Sequence, residues 1–165
     1  TINDVPPPLS GTYNVPSGTY TSLTNAGGIF AAINASGASG PITINIDGDL
    51  TGETGANALN AIGGGHAVLI KPTGALRNIS GTTNSDAMIR TSGASNVTID
   101  GSLSGGTDRS LTITNLSTTA PQVVRFGSVG TTPVTGITLK NTTITNGVNT
   151  SSAVVIADTG GVSGG

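Results

Sequence analysis

The stretch that decides the fold is Asn96–Gly147, NVTIDGSLSGGTDRSLTITNLSTTAPQVVRFGSVGTTPVTGITLKNTTITNG. It contains short runs in which apolar and polar residues alternate, and each run is closed by Gly, Asn, Asp or Ser. Alternation puts Leu111 and Ile113 on one face of a strand and Thr112 and Thr114 on the other. The stretch therefore predicts a series of short β-strands joined by turns.

The order of these runs predicts a coil with three strands per turn. One turn consists of AMIR at 87–90, VTID at 97–100 and LTIT at 111–114; the next consists of VVRF at 123–126, ITLK at 137–140 and TTIT at 142–145; AVVIA at 153–157 begins a third. Equivalent sides recur at irregular spacings of roughly 30 to 40 residues, which is typical of repeat folds. We therefore predict an all-β fold, a parallel β-helix with three strands per rung.

Two asparagines support this assignment of strands to sides. LTITN ends at Asn115 and TTITN ends at Asn146, so the two residues fall at the same corner of successive turns. Stacked Asn side chains form hydrogen-bonded ladders in other stacked sheets. We expect Asn115 and Asn146 to form such a corner ladder.

The N-terminal region differs from the rest of the chain. Residues 1–20 contain four prolines and predict an extended leader, and the β-helix is expected over 21–165, continuing beyond the chain end. The segment NAGGIFAAINAS predicts a short helix near 26–36, with a possible cap at Asn25, a stop at Gly37 and an apolar stripe of Ile29, Phe30 and Ile33.

Composition excludes several functional classes. Charged residues make up 8% of the chain, the net charge is −2, and the six Lys and Arg residues are scattered, which does not fit a nucleic-acid-binding surface. Cysteine is absent, so the sequence offers neither disulfides nor thiolate metal ligands. Apolar runs are far shorter than the roughly 18 residues of a membrane span.

Two segments carry a resemblance to a known family. GTYNVPSGTYTSLTNAGGIFAAINASGASGPITINIDG at 11–48 and DAMIRTSGASNVTIDGS at 86–102 resemble the right-handed parallel β-helix of the pectin-lyase-like superfamily, as it occurs in large secreted bacterial surface proteins. The resemblance implies a right-handed coil, a helix that plugs its N-terminal end, and export to the cell surface or medium.

The resemblance does not carry over the activity of the family. Its enzymes cleave acidic polysaccharides with Ca²⁺-binding carboxylates and a base, or with paired Asp residues and a Gly-His-Gly motif. This sequence has no Asp-Asp pair and has GGGHA around His66. The resemblance thus implies a scaffold, since a fold alone does not determine function, and we predict no catalytic residue and no cofactor.

Three other groups of residues have a functional and a structural interpretation. In DGDLTGE, Asp47, Asp49 and Glu53 offer oxygen ligands for Ca²⁺, but the spacing is not that of an EF-hand, and a solvated turn is the favoured interpretation. Asp100 and Asp108 in DGSLSGGTDR are interpreted as turn residues, and His66 as a turn or surface histidine.

These observations lead to a functional expectation. We expect a secreted structural protein, a β-solenoid subunit of an extracellular filament, sheath or adhesive surface layer that self-associates through its ends or its N-terminal segment. The alternative is a polysaccharide-binding or pectate-lyase-like module, and a phage-type trimeric fibre module is a third interpretation. Glycan contact is possible, whereas nucleic-acid binding is not expected.

Overall fold

The computed structural model of the chain describes residues 6–131 and 133–157. Within these residues the chain forms a parallel β-solenoid with one α-helix. The elements are β1 (Leu9–Val15), α1 (Ile29–Ser36), β2 (Ala38–Ile46), β3 (Leu50–Glu53), β4 (Leu59–Asn60), β5 (Val68–Pro72), β6 (Arg77–Gly81), β7 (Ala87–Ser92), β8 (Val97–Asp100), β9 (Leu111–Asn115), β10 (Gln122–Gly127), β11 (Thr138–Lys140), β12 (Thr142–Asn146) and β13 (Val154–Ala157).

Three parallel sheets form the sides of the coil. Sheet A has the order β1-β2-β5-β8-β11, sheet B the order β3-β6-β9-β12, and sheet C the order β4-β7-β10-β13. Each turn visits A, B and C in that sequence, and every pair of neighbouring strands within the sheets is parallel. The predicted all-β coil with three strands per turn is confirmed, with the strands of 87–157 on the predicted sides.

Strict register stacks identical or similar side chains in the interior. On sheet A, Ile44 pairs with Ile70 and Ile70 with Ile99, and all three side chains are buried. On sheet B, Ile79 pairs with Ile113, which are also both buried. Each such side chain contributes about 1.5–3 kcal/mol on burial. A narrow interior filled by aliphatic side chains explains why the fold needs so few aromatic residues.

The segment predicted as a leader contributes a strand to the solenoid. β1 lies within residues 1–20 and pairs in parallel with β2 along Leu9–Val15. The three prolines at 6–8 precede this strand and Pro16 follows it, so none of these four prolines lies within β1. The extended conformation is therefore that of the first turn. Residues 1–5 of the predicted leader and residues 158–165 of the predicted β-helix lie outside the described residues.

The helix lies in the predicted segment but begins later. α1 starts at Ile29, after Gly28, and Asn25 is not its N-cap. The reason is that backbone carbonyls of the preceding segment already accept from the first helical N–H groups, with Ile29 donating to Ser22 at 3.0 Å and Phe30 to Leu23 at 3.0 Å. The helix ends, as predicted, at Gly37, whose φ of 73° suits glycine.

A loop leaves the coil between β8 and β9. Its two ends are held together by a hydrogen bond from the N–H of Ser110 to the carbonyl of Gly101, at 2.8 Å. Ser104 and Gly105 lie at its exposed tip. The loop therefore projects from the side of the solenoid without interrupting the stacking of the turns.

Candidate functional site: the two ends of the solenoid

The helix covers the N-terminal edge of sheet C. α1 lies beside β4, the first strand of that sheet. The side-chain amide of Asn34 donates to the carbonyl of Ala58 at 2.7 Å, and its oxygen accepts from the N–H of Asn60 at 2.9 Å. Ile29, Phe30 and Ile33 are buried, so the apolar stripe named from the sequence faces the interior. Sheet C therefore has no free strand edge at this end.

A buried carboxylate covers the N-terminal edge of sheet B. Glu53, at the end of β3, is 2% exposed and accepts from the N–H groups of Leu23 at 3.1 Å and Thr24 at 2.7 Å. It also accepts from the hydroxyl of Thr24. Asn25 adds a hydrogen bond to the carbonyl of Gly52 at 2.8 Å. The segment 22–25 is therefore fixed across the first strand of sheet B.

Sheet A ends on β1, whose inner face carries an aromatic side chain. Tyr13 is in register with Ile44 and packs against Tyr20, with ring centroids 5.8 Å apart and planes inclined at 55°. Burial, and to a lesser extent Tyr13, raise the pKa of Tyr20. The tyrosine pair packs against the interior at this end, and among the described residues β1 forms the outer edge of sheet A.

The C-terminal end has a different construction. Within residues 6–131 and 133–157, β11, β12 and β13 are the last strands of sheets A, B and C, and no described element covers them. Inward-facing side chains of this turn are exposed: Ile156 by 84% and Val154 by 40%, whereas their in-register partners Phe126 and Val124 are 3% and 0% exposed. We call this surface, the outer edges of β11–β13 with the inward side chains of the last turn, the open end.

The open end is apolar and almost without charge. Leu139 and Ile144 are half-buried although their in-register partners Ile99 and Ile113 are fully buried. A groove of about 400 Å³ lies at the corner between sheets C and A, lined by side chains that include Phe126, Pro133, Ile137 and Ile156. Within β11–β13 the single charged residue is Lys140.

Lys140 is paired with a carboxylate of the preceding turn. Its ammonium lies 3.1 Å from Asp100 Oδ2. Burial raises the pKa of Asp100, but hydrogen bonds from Asn141, Ser102 and Lys140 outweigh it and lower the pKa to about 2. Asp100 therefore ties two turns together through hydrogen bonds, which fits the turn role inferred for it and leaves no proton for acid catalysis near neutral pH.

The two corner asparagines stack and bind the backbone of neighbouring loops. Asn146 is in register with Asn115. The amide of Asn115 donates to the carbonyls of Thr83 at 2.9 Å and Gln122 at 2.7 Å, and its oxygen accepts from the N–H of Thr83 at 3.0 Å. The amide of Asn146 donates to Pro121 at 3.0 Å. Apart from one bond from Asn146 to the hydroxyl of Ser151, these hydrogen bonds go to backbone groups of the corner loops, and among the described residues none joins one amide to the other.

Glu53 belongs to the same column as these asparagines. β3 pairs Glu53 with Gly81 of β6, and β6 pairs Gly81 with Asn115 of β9. Like Asn115, Glu53 binds backbone N–H groups of the preceding turn. The sequence placed Glu53 in a possible calcium site because LTGE lacks the alternation that would have identified a strand ending at this corner.

The three carboxylates of the possible calcium site accept hydrogen bonds from three different parts of the chain. Asp47 accepts from the N–H and the hydroxyl of Ser17. Asp49 accepts from the N–H of Asn78 at 2.9 Å, and Glu53 binds the segment 22–24. Among residues 6–131 and 133–157, no group of three or more His, Asp or Glu side chains is placed to hold a metal ion.

Asp108 and His66 both lie in connections between strands. Asp108 accepts from the hydroxyl of Ser110 at 2.6 Å and the N–H of Leu103 at 2.9 Å, and these bonds lower its pKa. It therefore stabilises the loop between β8 and β9. His66 follows the 3₁₀ turn Gly63–Gly65 and is half-buried.

An ion cluster on the outside of sheet C was missed from the sequence. Arg90 of β7 is in register with Arg125 of β10, and both guanidinium groups share the carboxylate of Asp86. The Arg125 Nη1–Asp86 Oδ1 distance is 3.1 Å. The sequence does contain a signal for this pair of arginines, because AMIR and VVRF are equivalent strands and each has an arginine near its end.

Comparisons with known proteins give no further assignment: no protein-family model, no curated protein and no solved structure matches this chain. In the part of the chain that the structure describes, no helix has the length and apolarity needed to cross a membrane. The two ends of the described solenoid therefore provide the structural basis for a function.

Proposed function

We propose that the chain is a structural protein, a β-solenoid that self-associates through its ends into an extracellular filament, sheath or adhesive surface layer. The observation that carries the proposal is the open end. Among the residues that the structure describes, three strand edges without a neighbouring strand surround exposed apolar side chains, and such edges pair readily with other strands. Solenoids normally cover such an end with a cap, and none of the described residues does so.

The remaining surface supports a scaffold role. The candidate catalytic and metal-binding carboxylates accept hydrogen bonds that hold turns or loops in place. The low charge, 8% of residues, suits a protein whose neighbours are further copies of itself, because net charge opposes association. We also propose membership of the pectin-lyase-like superfamily and a secreted bacterial origin, supported by the solenoid, its N-terminal helix and the quoted motifs.

Electron microscopy of the concentrated chain tests the proposal. We expect regular oligomers or filaments whose width matches the solenoid. A sedimentation experiment that finds only monomer up to about 1 mM contradicts self-association. Release of unsaturated or reducing sugars from uronate polymers, with or without Ca²⁺, contradicts the scaffold role and favours a polysaccharide-degrading module.

A further inference from the structure

We propose that the outer face of sheet B binds ice, through uncharged polar side chains that three successive turns place in two regular rows. The inference is independent of the proposed function, because it concerns the side of the solenoid and requires no association of chains. We call these side chains the polar array. Its members are Asn78 and Ser80 of β6, Thr112 and Thr114 of β9, and Thr143 and Thr145 of β12.

The register of the strands arranges the polar array in two rows. The first row is Asn78, Thr112 and Thr143, and the second is Ser80, Thr114 and Thr145. Neighbours within a row are about 4.8 Å apart, and the two rows are roughly 6.6 Å apart. The side chains between the rows, Ile79 and Ile113, are buried in the core and hold the strands from inside. The array therefore repeats in two directions on a packed support.

The polar atoms of the array are free to bind a ligand. Asn78, Thr143 and Thr145 are exposed, and the other three side chains are half-buried. Among the described residues none of the six side chains has a hydrogen-bond partner, and none of their polar atoms is buried. Hydroxyl and amide groups both donate and accept hydrogen bonds, as each water molecule of a lattice does.

No charge interrupts the polar array, and this separates sheet B from the other two sides. The charged side chains on the outer faces of sheets C and A include Arg90, Arg125, Lys71 and Lys140. The charged residue of β6, Arg77, lies at the start of the strand, outside both rows. Charged groups, the ammonium of lysine above all, hold a hydration shell of their own. An uncharged face leaves the arrangement of its bound water to the spacing of the side chains.

The shape and composition of the array favour a crystalline ligand. Dissolved small molecules bind in concave sites, and none of the six residues lines the groove of the open end. A surface that repeats in two directions gains most from a ligand that also repeats. Solid polysaccharides repeat too, but their sugar rings stack on aromatic side chains, and β6, β9 and β12 contain none. Ice is a regular lattice of hydrogen-bond donors and acceptors and requires neither charges nor aromatic rings.

Threonine suits this task because it carries both a methyl and a hydroxyl group. The methyl group restricts the orientation of the water beside it, and the hydroxyl anchors that water by a hydrogen bond. The array measures only roughly 10 Å by 7 Å. A single chain should therefore attach weakly to ice and slow the coarsening of small crystals, without a large depression of the freezing point.

An ice-recrystallisation assay of the full chain and three variants tests the face. Thr114→Lys places a charge in the array on its central strand, and Asn78→Lys does so at an exposed residue. Thr98→Lys is the matched control, because Thr98 is likewise a half-buried, outward residue of an internal strand, on sheet A. We expect the unmodified chain and Thr98→Lys to keep ice crystals small. The two array variants should require at least about tenfold more protein, which corresponds to the loss of roughly one hydrogen bond.

Urea unfolding of each variant verifies that it is folded. If Thr114→Lys does not fold, Asn78→Lys decides the test, because the side chain of Asn78 is exposed and has no partner among the described residues. Crystals that coarsen equally with the unmodified chain and with buffer overturn the proposal. Equal inhibition by all three variants also overturns it, since the effect would then not depend on the polar array.

Partition into slowly growing ice measures binding directly. The unmodified chain and Thr98→Lys should be enriched in the ice, and Thr114→Lys should remain in the liquid. Binding to powdered cellulose or chitin that Thr114→Lys abolishes, without enrichment in ice, shows that the array takes a solid polysaccharide and overturns the proposal. Self-association through the ends is measured separately by electron microscopy, so a failure of ice binding is distinguishable from a failure of the proposed function.

Discussion

The carboxylate of Asp86 holds two arginines that the coil places directly above one another. Arg90 and Arg125 are in register on neighbouring strands of sheet C, about 4.8 Å apart by the spacing of strands. Both are partly buried, with exposed fractions of 22% and 28% for their side chains. Without a shared counter-ion the two guanidinium groups would repel each other.

The substitution Asp86→Asn should therefore destabilise the chain. We expect a loss of about 1–2 kcal/mol in the free energy of unfolding, because the change keeps the acceptor for the N–H of Ala87 and removes the charge. Urea unfolding measures the loss.

A second substitution separates repulsion from a lost hydrogen bond. Arg125→Leu in the Asp86→Asn background removes one of the two like charges and places an apolar side chain beside Val155. The double variant should be more stable than Asp86→Asn alone. Equal or lower stability would show that repulsion between the arginines is not the cause.

Because of Asp100, the stability of the folded chain should depend on pH in the acidic range. Its pKa in the folded chain is about 2, below its ordinary value of 3.8, so folding favours the ionised carboxylate. Its contribution to stability is fully present above pH 3.8 and is lost as the pH falls from 3.8 through 2. Asp100→Asn should flatten the decline of stability across this interval, as measured by urea unfolding at a series of pH values. An unchanged decline contradicts the assignment to Asp100.

At the scale of elements, the spacing of turns depends on a few glycines at the corners. A Cβ on Gly81 would lie 1.7 Å from the carbonyl oxygen of Glu53, and one on Gly101 would lie 1.9 Å from that of Asn141. Backbone atoms cannot move aside at these positions without separating the strands. The glycines therefore allow neighbouring turns to approach closely at two different corners of the coil, Gly81 after a strand of sheet B and Gly101 after a strand of sheet A.

The substitution Gly81→Ala should be among the most damaging single changes. We expect a loss of about 3 kcal/mol or more, since the added methyl group must push β6 away from β3. Gly52→Ala is the matched control, because a Cβ there meets nothing within 4 Å. It should change stability by about 0.5 kcal/mol or less. Thermal unfolding of both variants compares them, and similar losses would contradict the steric explanation.

The sequence predicted those strands in which β-branched residues alternate with polar ones. LTITN and TTITN allowed β9 and β12 to be placed on the same side, and their register is as expected from Asn115 and Asn146. It did not reveal β3, β4 or β6. LTGE, LN and RNISG are short, contain glycine or lack alternation, and become strands because neighbouring turns supply the pairing.

At the two ends of the solenoid, too, the sequence predicted features with a local signal and missed those that depend on distant residues. The helix was predicted from its apolar stripe, because that signal is local. The covering of sheet B by Glu53 was not, since it depends on contacts about 30 residues apart in the sequence.

At the scale of the whole molecule, the two ends of the described solenoid differ, because α1 and the segment 22–25 cover strands at one end and β11–β13 are the last described strands at the other. In such a stack each turn is stabilised by its neighbours, and among the described residues the last turn has one neighbour fewer than the turns before it. Opening should therefore begin at β11–β13. Association through the open end would supply the missing neighbour.

Hydrogen exchange tests this difference along the stack. At low protein concentration, amides of β12 should exchange faster than those of its in-register partner β9. Raising the concentration should slow exchange in β12 and leave β5, in the middle of sheet A, unchanged. Ile156→Lys should abolish the effect of concentration. Equal protection of β12 and β9 at low concentration would show that the last turn is covered within a single chain.

The loop between β8 and β9 is a site at which a foreign peptide can be inserted. Because Ser110 closes the loop against Gly101, a guest peptide grafted at Ser104–Gly105 would leave the winding of the coil intact. In an assembly of solenoids joined through their ends, each copy would then display its graft at the same height along its own stack. The grafted peptides would follow one another at a regular separation, set by the number of turns in each copy.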